Sequence, residues 1–168
     1  LVEQWRQELR ERFYLADLFE TQIIICPHDS LPKVLKTFHT SMLIIDEAHH
    51  IAEWAWVDNK KQNSNFKYVA EISNSCDACL LLSGTPLNGN EKNFLAMLHL
   101  LSSDKYELDE VGVSKFEQRK LEREWLGGVY QALIPDNDNS TLSDLLEDIE
   151  NMFPNDQQLI VLIDQVKP

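Results

Sequence analysis

The sequence predicts an α/β fold: a partial parallel sheet flanked by helices, followed by an all-helical C-terminal appendage. Three observations carry this expectation. Short apolar runs of strand length stand at 22–26 (QIIIC), 42–45 (MLII) and 79–82 (CLLL), apolar at consecutive positions as strands buried on both faces of a parallel sheet are. Helical periodicity separates these runs, which is the alternation of an α/β unit. Beyond about residue 106 helical spacing continues and no strand-like run occurs. The division expected is therefore 1–106 for the α/β part and 107–168 for the helical part.

The elements follow in order. Val2, Trp5, Leu9 and Phe13 recur at three- and four-residue steps and predict a first helix with one apolar face. The run at 22–26 reads as a buried strand ended by Pro27. Leu35 and Phe38 mark a short helix, and 42–45 a second buried strand that leads directly into Asp46-Glu47-Ala48-His49. The polar stretch 58–65 (DNKKQNSN) reads as a loop. Phe66, Val69, Ala70 and Ser73 mark a helix, and 79–82 a third buried strand ending in Ser83-Gly84-Thr85-Pro86. Asn88 and Glu91 have capping-box spacing ahead of a strongly apolar helix bearing Phe94, Leu95, Met97, Leu98 and Leu101. In the second part, Leu121, Trp125, Leu126, Val129, Tyr130 and Leu133 follow helical spacing up to a turn-rich break at 135–139. Leu142, Leu145, Leu146, Ile149 and Phe153 form an amphipathic helix with Ser140 or Thr141 as N-cap, and Leu159, Ile160 and Ile163 suggest one more.

Composition narrows the class. With 43% hydrophobic and 26% charged residues the expectation is a soluble globular protein. No apolar run approaches the ~18 residues of a membrane span, and no export signal is legible. The chain opens on Leu1 inside an apparent helix, which reads as an excised segment. The net charge of −13 is uneven: 106–168 carries 14 Asp/Glu against 5 Lys/Arg, a balance of −9. Such a surface repels phosphate backbones, so the segment alone is expected to bind nucleic acid poorly outside small patches such as Lys60-Lys61. Three cysteines, Cys26, Cys76 and Cys79, are too few for a secreted disulfide scaffold. Cys76 and Cys79 match C-x-x-C, but no second ligand pair completes a zinc site, and Cys79 opens an apolar run where Cys is an ordinary core residue.

Two strand ends carry the chemistry. Asp46 and Glu47 follow an apolar strand at its C-terminal end, where open α/β sheets bind ligands. Phosphoanhydride hydrolysis needs a divalent cation to neutralise phosphates and a carboxylate to act on the attacking water. An Asp-Glu pair can supply both; a plain surface turn is the competing reading. Ser83-Gly84-Thr85-Pro86 follows the next strand and places two hydroxyls around a glycine that permits a sharp turn. A specified four-residue string arises by chance about once in 10⁵ positions, and here two such strings fit one structural plan.

This conjunction resembles motifs II and III of the superfamily 2 helicases and translocases in their DEAH-type form. The segment 1–9 (LVEQWRQEL) looks like the L-x-x-Q-W-x-x-E helix after motif Ia of the Swi/Snf branch. Pro86-Leu87-Asn88 with the helix behind it looks like that branch's T-P-L-x-N segment. Asp46 to His50 with Phe116-Glu117-Gln118-Arg119 is similar to the bacterial members, which include an RNA-polymerase-associated ATPase. The similarity covers about residues 1–106. It implies the first RecA-like lobe of an ATP-dependent motor, with Mg²⁺ and ATP as cofactors of the complete protein. Its partners would be double-stranded DNA, a second RecA-like lobe, and RNA polymerase or another DNA-bound protein, in the bacterial cytoplasm or nucleoid. Carried over by position, Asp46 binds Mg²⁺ through water, Glu47 is the hydrolytic base, and His49, Ser83 and Thr85 couple the nucleotide site to the nucleic-acid track. Trp5 is implied to be packing, and His50 structural.

Three departures stand beside the resemblance. No G-x-x-x-x-G-K-[ST] occurs, so no phosphate-binding loop lies in this chain, and the segment is expected to be inactive by itself. The stretch between Phe13 and Ile23 is shorter than the family pattern, which has another strand there. Cys26-Pro27 stands where relatives place a hydroxyl residue against DNA. Two other readings remain open at this stage. One is a non-catalytic interaction module on a degenerate RecA-like scaffold. The other is a metal-dependent hydrolase using Asp46, Glu47, His49 and His50.

Overall fold

The computed structural model describes residues 1–85, 90–132 and 139–166. Two compact units divide the chain, Leu1–Phe116 and Glu117–Pro168.

The first unit opens with α1 (Val2–Glu11), and α2 (Leu31–Thr37) follows a stretch of turns and extended backbone. Pro32 suits the first turn of α2, where its missing N–H costs nothing. Next come β1 (Met42–Ile45), the short α3 (His49–Glu53), α4 (Lys60–Ser75), β2 (Ala78–Leu81) and α5 (Glu91–Leu101). The strands β1 and β2 are parallel, with Met42 opposite Ala78 and Ile45 opposite Leu81. Parallel strands need a long crossover, and α3 with α4 supplies it.

Beneath the sheet lies the core. Leu43 and Ile45 point down from β1 onto Ala48, Ile51, Ala52, Phe66, Val69, Ala96 and Leu100, all buried. Alanines at 48, 52 and 96 let the helical backbones approach closely. The end of α4 also closes the end of α5. Ser73 Oγ lies 2.8 Å from the Leu100 carbonyl, Asn74 Nδ2 lies 3.2 Å from the His99 carbonyl, and the Ser103 N–H donates to Asn74 Oδ1 at 2.8 Å. Those carbonyls belong to the last turn of α5 and have no partner within the helix.

Several expectations are corrected. The run at 22–26 is not a strand: its one pairing is an isolated bridge from Phe19 to Ile23. A β-branched run favours extended backbone, but a strand also needs a neighbour, and the described sheet has two strands. Nor are the two strands buried on both faces. Met42 and Ile44 are 51% and 48% exposed and Leu80 is 43% exposed, because helices cover one face only. The stretch 58–65 is largely helix, since α4 begins at Lys60. Asn59 caps it, its side chain accepting the Lys61 and Gln62 N–H groups at 3.1 and 3.2 Å. Strand β2 starts one residue earlier than expected, at Ala78. The N-cap of α5 is Asn90, which accepts from the Asn93 N–H at 3.2 Å; Asn88 lies outside the described residues.

Helix α6 (Glu110–Ala132) continues into the second unit, which also holds α7 (Asn139–Met152) and α8 (Gln157–Val166). A small core forms from Val129, Leu146, Ile149 and Ile163, with Trp125, Leu142, Leu145, Phe153 and Leu159 around it. Asp156 begins α8 by accepting the Leu159 N–H at 3.0 Å. Since α7 starts at Asn139, Ser140 and Thr141 lie inside the helix rather than at its N-cap. Leu133 and most of the 135–139 break lie outside the described residues. All described structure past residue 106 is helical or irregular.

The capping contacts give a test. Asn59→Ala and Asn90→Ala should each lower unfolding stability by about 1 kcal/mol, read from urea melts of the purified chain.

Candidate active site

The site forms where β1 and β2 end side by side. In a regular parallel ladder Leu82 would bond residues 45 and 47 of the neighbouring strand. Here the Leu82 N–H donates to the Ile45 carbonyl at 2.8 Å, but the Leu82 carbonyl accepts from the Ala48 N–H at 2.9 Å. One extra residue is thus accommodated opposite Leu82, a bulge formed by Asp46 and Glu47. Glu47 takes it up with φ of 50°, a left-handed backbone that costs a non-glycine residue about 1 kcal/mol. Bulges re-aim side chains and cluster beside functional sites.

The bulge places each side chain differently. Asp46 is half-buried and held on both carboxylate oxygens. Oδ1 accepts the Glu47 N–H at 3.0 Å, and Oδ2 accepts the Trp5 indole N–H at 2.8 Å. Its backbone carbonyl lies 2.7 Å from His28 Nε2, and because a carbonyl only accepts, that nitrogen carries a proton. Glu47 Oε2 lies 3.3 Å from His49 Nδ1, which also lies 3.1 Å from Ser83 Oγ. A carboxylate facing Nδ1 requires a proton there, so His49 donates toward Glu47 and Ser83 together. Glu47, His49 and Ser83 are therefore joined across the two strand ends.

Asp46, Glu47, His49 and Ser83, singled out from sequence, come together at one rim. Thr85 lies exposed two residues past Ser83, and Pro86 is outside the described residues. His50 is exposed, with Nδ1 4.0 Å from Glu53. Sequence reasoning missed Trp5 and His28 as neighbours of Asp46. The spacing that marks Trp5 as a helix-face residue carries no sign of a bond 41 positions away.

A metal-hydrolase reading on Asp46, Glu47, His49 and His50 has no cage behind it, since no three His, Cys, Asp or Glu side chains converge as ligands among the described residues. In the C-x-x-C pair, Cys79 is held as the thiol. Burial, then the neighbouring Cys76, pushes the Cys79 thiol up to about 11. Cys76 Sγ rests 3.1 Å from the Ala78 carbonyl, and burial also raises the Cys26 thiol.

Comparison with known proteins decides the family. Residues 16–163 match the SNF2-related domain. The chain belongs to the SNF2-related family. It is a Swi/Snf-type, superfamily 2 helicase-like first lobe, and its two-stranded parallel sheet with flanking helices is a partial RecA-like α/β fold. Similar curated proteins include the RNA polymerase-associated protein RapA of Actinobacillus pleuropneumoniae serotype 5b, 37% identical over 68 residues, which are 40% of this chain and 7% of that protein. RapA of Vibrio vulnificus (strain YJ016) is 28% identical over 130 residues, covering 63% of this chain and 13% of RapA. RapA of Pasteurella multocida is 27% identical over 146 residues, covering 80% and 14%. This SNF2-related chain thus spans 7 to 14% of the length of these relatives. No solved structure matches it.

Two measurements probe the site. A left-handed backbone at position 47 favours glycine, so Glu47→Gly should be more stable than Glu47→Ala by about 1 kcal/mol in urea melts, although both lose the carboxylate. With the Cys79 pKa near 11, about one part in 10⁴ is thiolate at pH 7, so iodoacetamide should label Cys79 only after unfolding. The unfolded thiol ionises first, so this group makes stability fall as pH rises from about 9 towards 11.

Proposed function

We propose that this chain is part of the first motor lobe of an ATP-dependent translocase acting on double-stranded DNA, carrying its hydrolytic acids but not its phosphate-binding loop. The observation that carries the reading is the shared rim: the Asp46-Glu47 bulge and Ser83 lie on adjacent strand ends, joined through His49. Asp46 and Glu47 offer hard carboxylate oxygens, the donor type Mg²⁺ prefers. Among the described residues each Asp46 oxygen accepts one hydrogen bond, which leaves an acceptor direction and fits a residue that holds the ion through its water shell. When bound, Mg²⁺ neutralises the phosphates of ATP.

The protein's own residues do the rest. Glu47 orients the attacking water and accepts its proton. His49 holds Glu47 by one carboxylate oxygen and reports its position to Ser83. Ser83 and Thr85 begin the loop after β2, so a displacement of that loop by DNA alters the support of Glu47. The lysine and backbone N–H groups of a G-x-x-x-x-G-K-[ST] loop do not occur in these 168 residues, so the segment by itself neither binds ATP tightly nor turns it over. Mg²⁺ and ATP are cofactors of the complete protein. A second RecA-like lobe closes the site. The RapA relatives support RNA polymerase, or another DNA-bound protein, as partner, and a bacterial cytoplasmic location. Among the described residues no helix is long and apolar enough to cross a membrane. The helical part from 107 onward is a separate protrusion in this reading, and its acidity favours docking on a basic protein surface over DNA.

In the full-length protein, Glu47→Gln should lower DNA-stimulated ATP turnover by on the order of 100-fold or more while leaving ATP binding intact. Turnover equal to wild type would overturn the assignment. Purified 1–168 should show no turnover above its own Glu47→Gln variant; measurable hydrolysis would remove the claim that the segment is inactive and favour a self-contained hydrolase.

A further inference from the structure

Trp5 has a feature that packing alone does not explain. A phenyl ring would fill the same side of the site. The indole, however, aims its N–H at Asp46 Oδ2 from 2.8 Å, across 41 residues of sequence. The remaining carboxylate oxygen is held by the Glu47 N–H, and the Asp46 backbone carbonyl by His28. Three separate stretches of chain therefore fix one aspartate: helix α1, the 3₁₀ turn His28–Ser30, and the bulge itself.

We propose that Trp5 is a positioning residue that orients the Asp46 carboxylate for the divalent cation. The inference rests on the motor reading above, in which Asp46 holds Mg²⁺ through water. The choice of an indole has a physical reason. Its nitrogen donates and cannot accept, so it locks one side-chain rotamer of Asp46 with a single directed bond. It is also uncharged. A lysine or arginine in its place would hold the carboxylate as firmly but would repel the incoming cation and neutralise the charge that attracts it. Backbone and indole donors together fix the plane of the carboxylate while leaving its full negative charge available. Outer partners of this kind set the direction of a metal-binding group, and their removal costs on the order of 10-fold or more in metal affinity or activity.

The test uses full-length protein with Trp5→Phe, and with benzothienylalanine incorporated at position 5, which keeps the bicyclic ring shape but has no N–H. ATP turnover is titrated with Mg²⁺ at saturating ATP, beside thermal melts and an Asp46→Asn control. Expected is a half-saturating Mg²⁺ concentration raised on the order of 10-fold in both variants, with the melting temperature of the isosteric variant unchanged. A purely structural Trp5 predicts the reverse: a shifted melt and an unchanged Mg²⁺ midpoint. If Trp5→Phe lowers the melt, the isosteric variant decides. An unmoved midpoint there, with Asp46→Asn inactive, overturns the role of Trp5 and leaves the motor reading standing. Full turnover and an unchanged Mg²⁺ midpoint in Asp46→Asn would sink the motor reading itself.

Discussion

The site depends on one backbone exchange at the end of the sheet. Leu82 donates to Ile45 and accepts from Ala48, so two residues of the first strand stand opposite one of the second. Had the ladder continued regularly, successive side chains would alternate above and below the sheet, and Asp46 and Glu47 would point apart. The bulge breaks that alternation at the acid pair. It also starts α3 immediately, because Ala48 follows the left-handed turn at Glu47 directly and is fully buried. The backbone cost at Glu47 is modest beside the burial it permits: Ala48, Ile51 and Ala52 are all at 0% exposure. The same turn thus seats the core of α3 and exposes the edge of the acid pair.

How much of this was legible in the sequence depends on how local each cause is. The strand Met42–Ile45 and the buried set Phe66, Val69, Ala70 and Ser73 follow from periodicity, a property of neighbours along the chain, and both stand where expected. The strand expected at 22–26 failed because three isoleucines establish a preference, while a strand is a relation to another strand. The polar stretch before Phe66 misled in the opposite direction. Its lysines and glutamine are good helix formers, and the Asn59 cap was enough to start α4 among them. The bulge was invisible because Glu, not Gly, occupies the left-handed position. Long-range bonds to Asp46 from Trp5 and His28 lie beyond any pattern of adjacent residues.

The half-covered sheet places the rest of the energetics. Leu43 and Ile45 face a core to which α2, α3, α4 and α5 all contribute, while Met42, Ile44 and Leu80 face outward. An edge of four-residue strands with one apolar face uncovered gains little from each residue it orders. Beneath the strands the crossover helix α4 packs on α5, and its Ser73 and Asn74 close the last carbonyls of α5.

That arrangement bears on how the two strand ends can communicate. His49 belongs to a helix anchored in the core, whereas Ser83 starts a loop that leaves the sheet. A hydrogen bond between a helix residue and a loop residue has two distinct arrangements, bonded and broken, and it transmits only if the broken state changes something at the other end. Here it does. His49 Nδ1 has a single proton to share between Glu47 and Ser83, so withdrawing Ser83 leaves the whole of that bond to Glu47. The carboxylate is then held more firmly in one direction. In this geometry the Ser83 hydroxyl and the Glu47 carboxylate face the same His49 nitrogen, so the two strand ends are linked through a single donor rather than through the sheet itself.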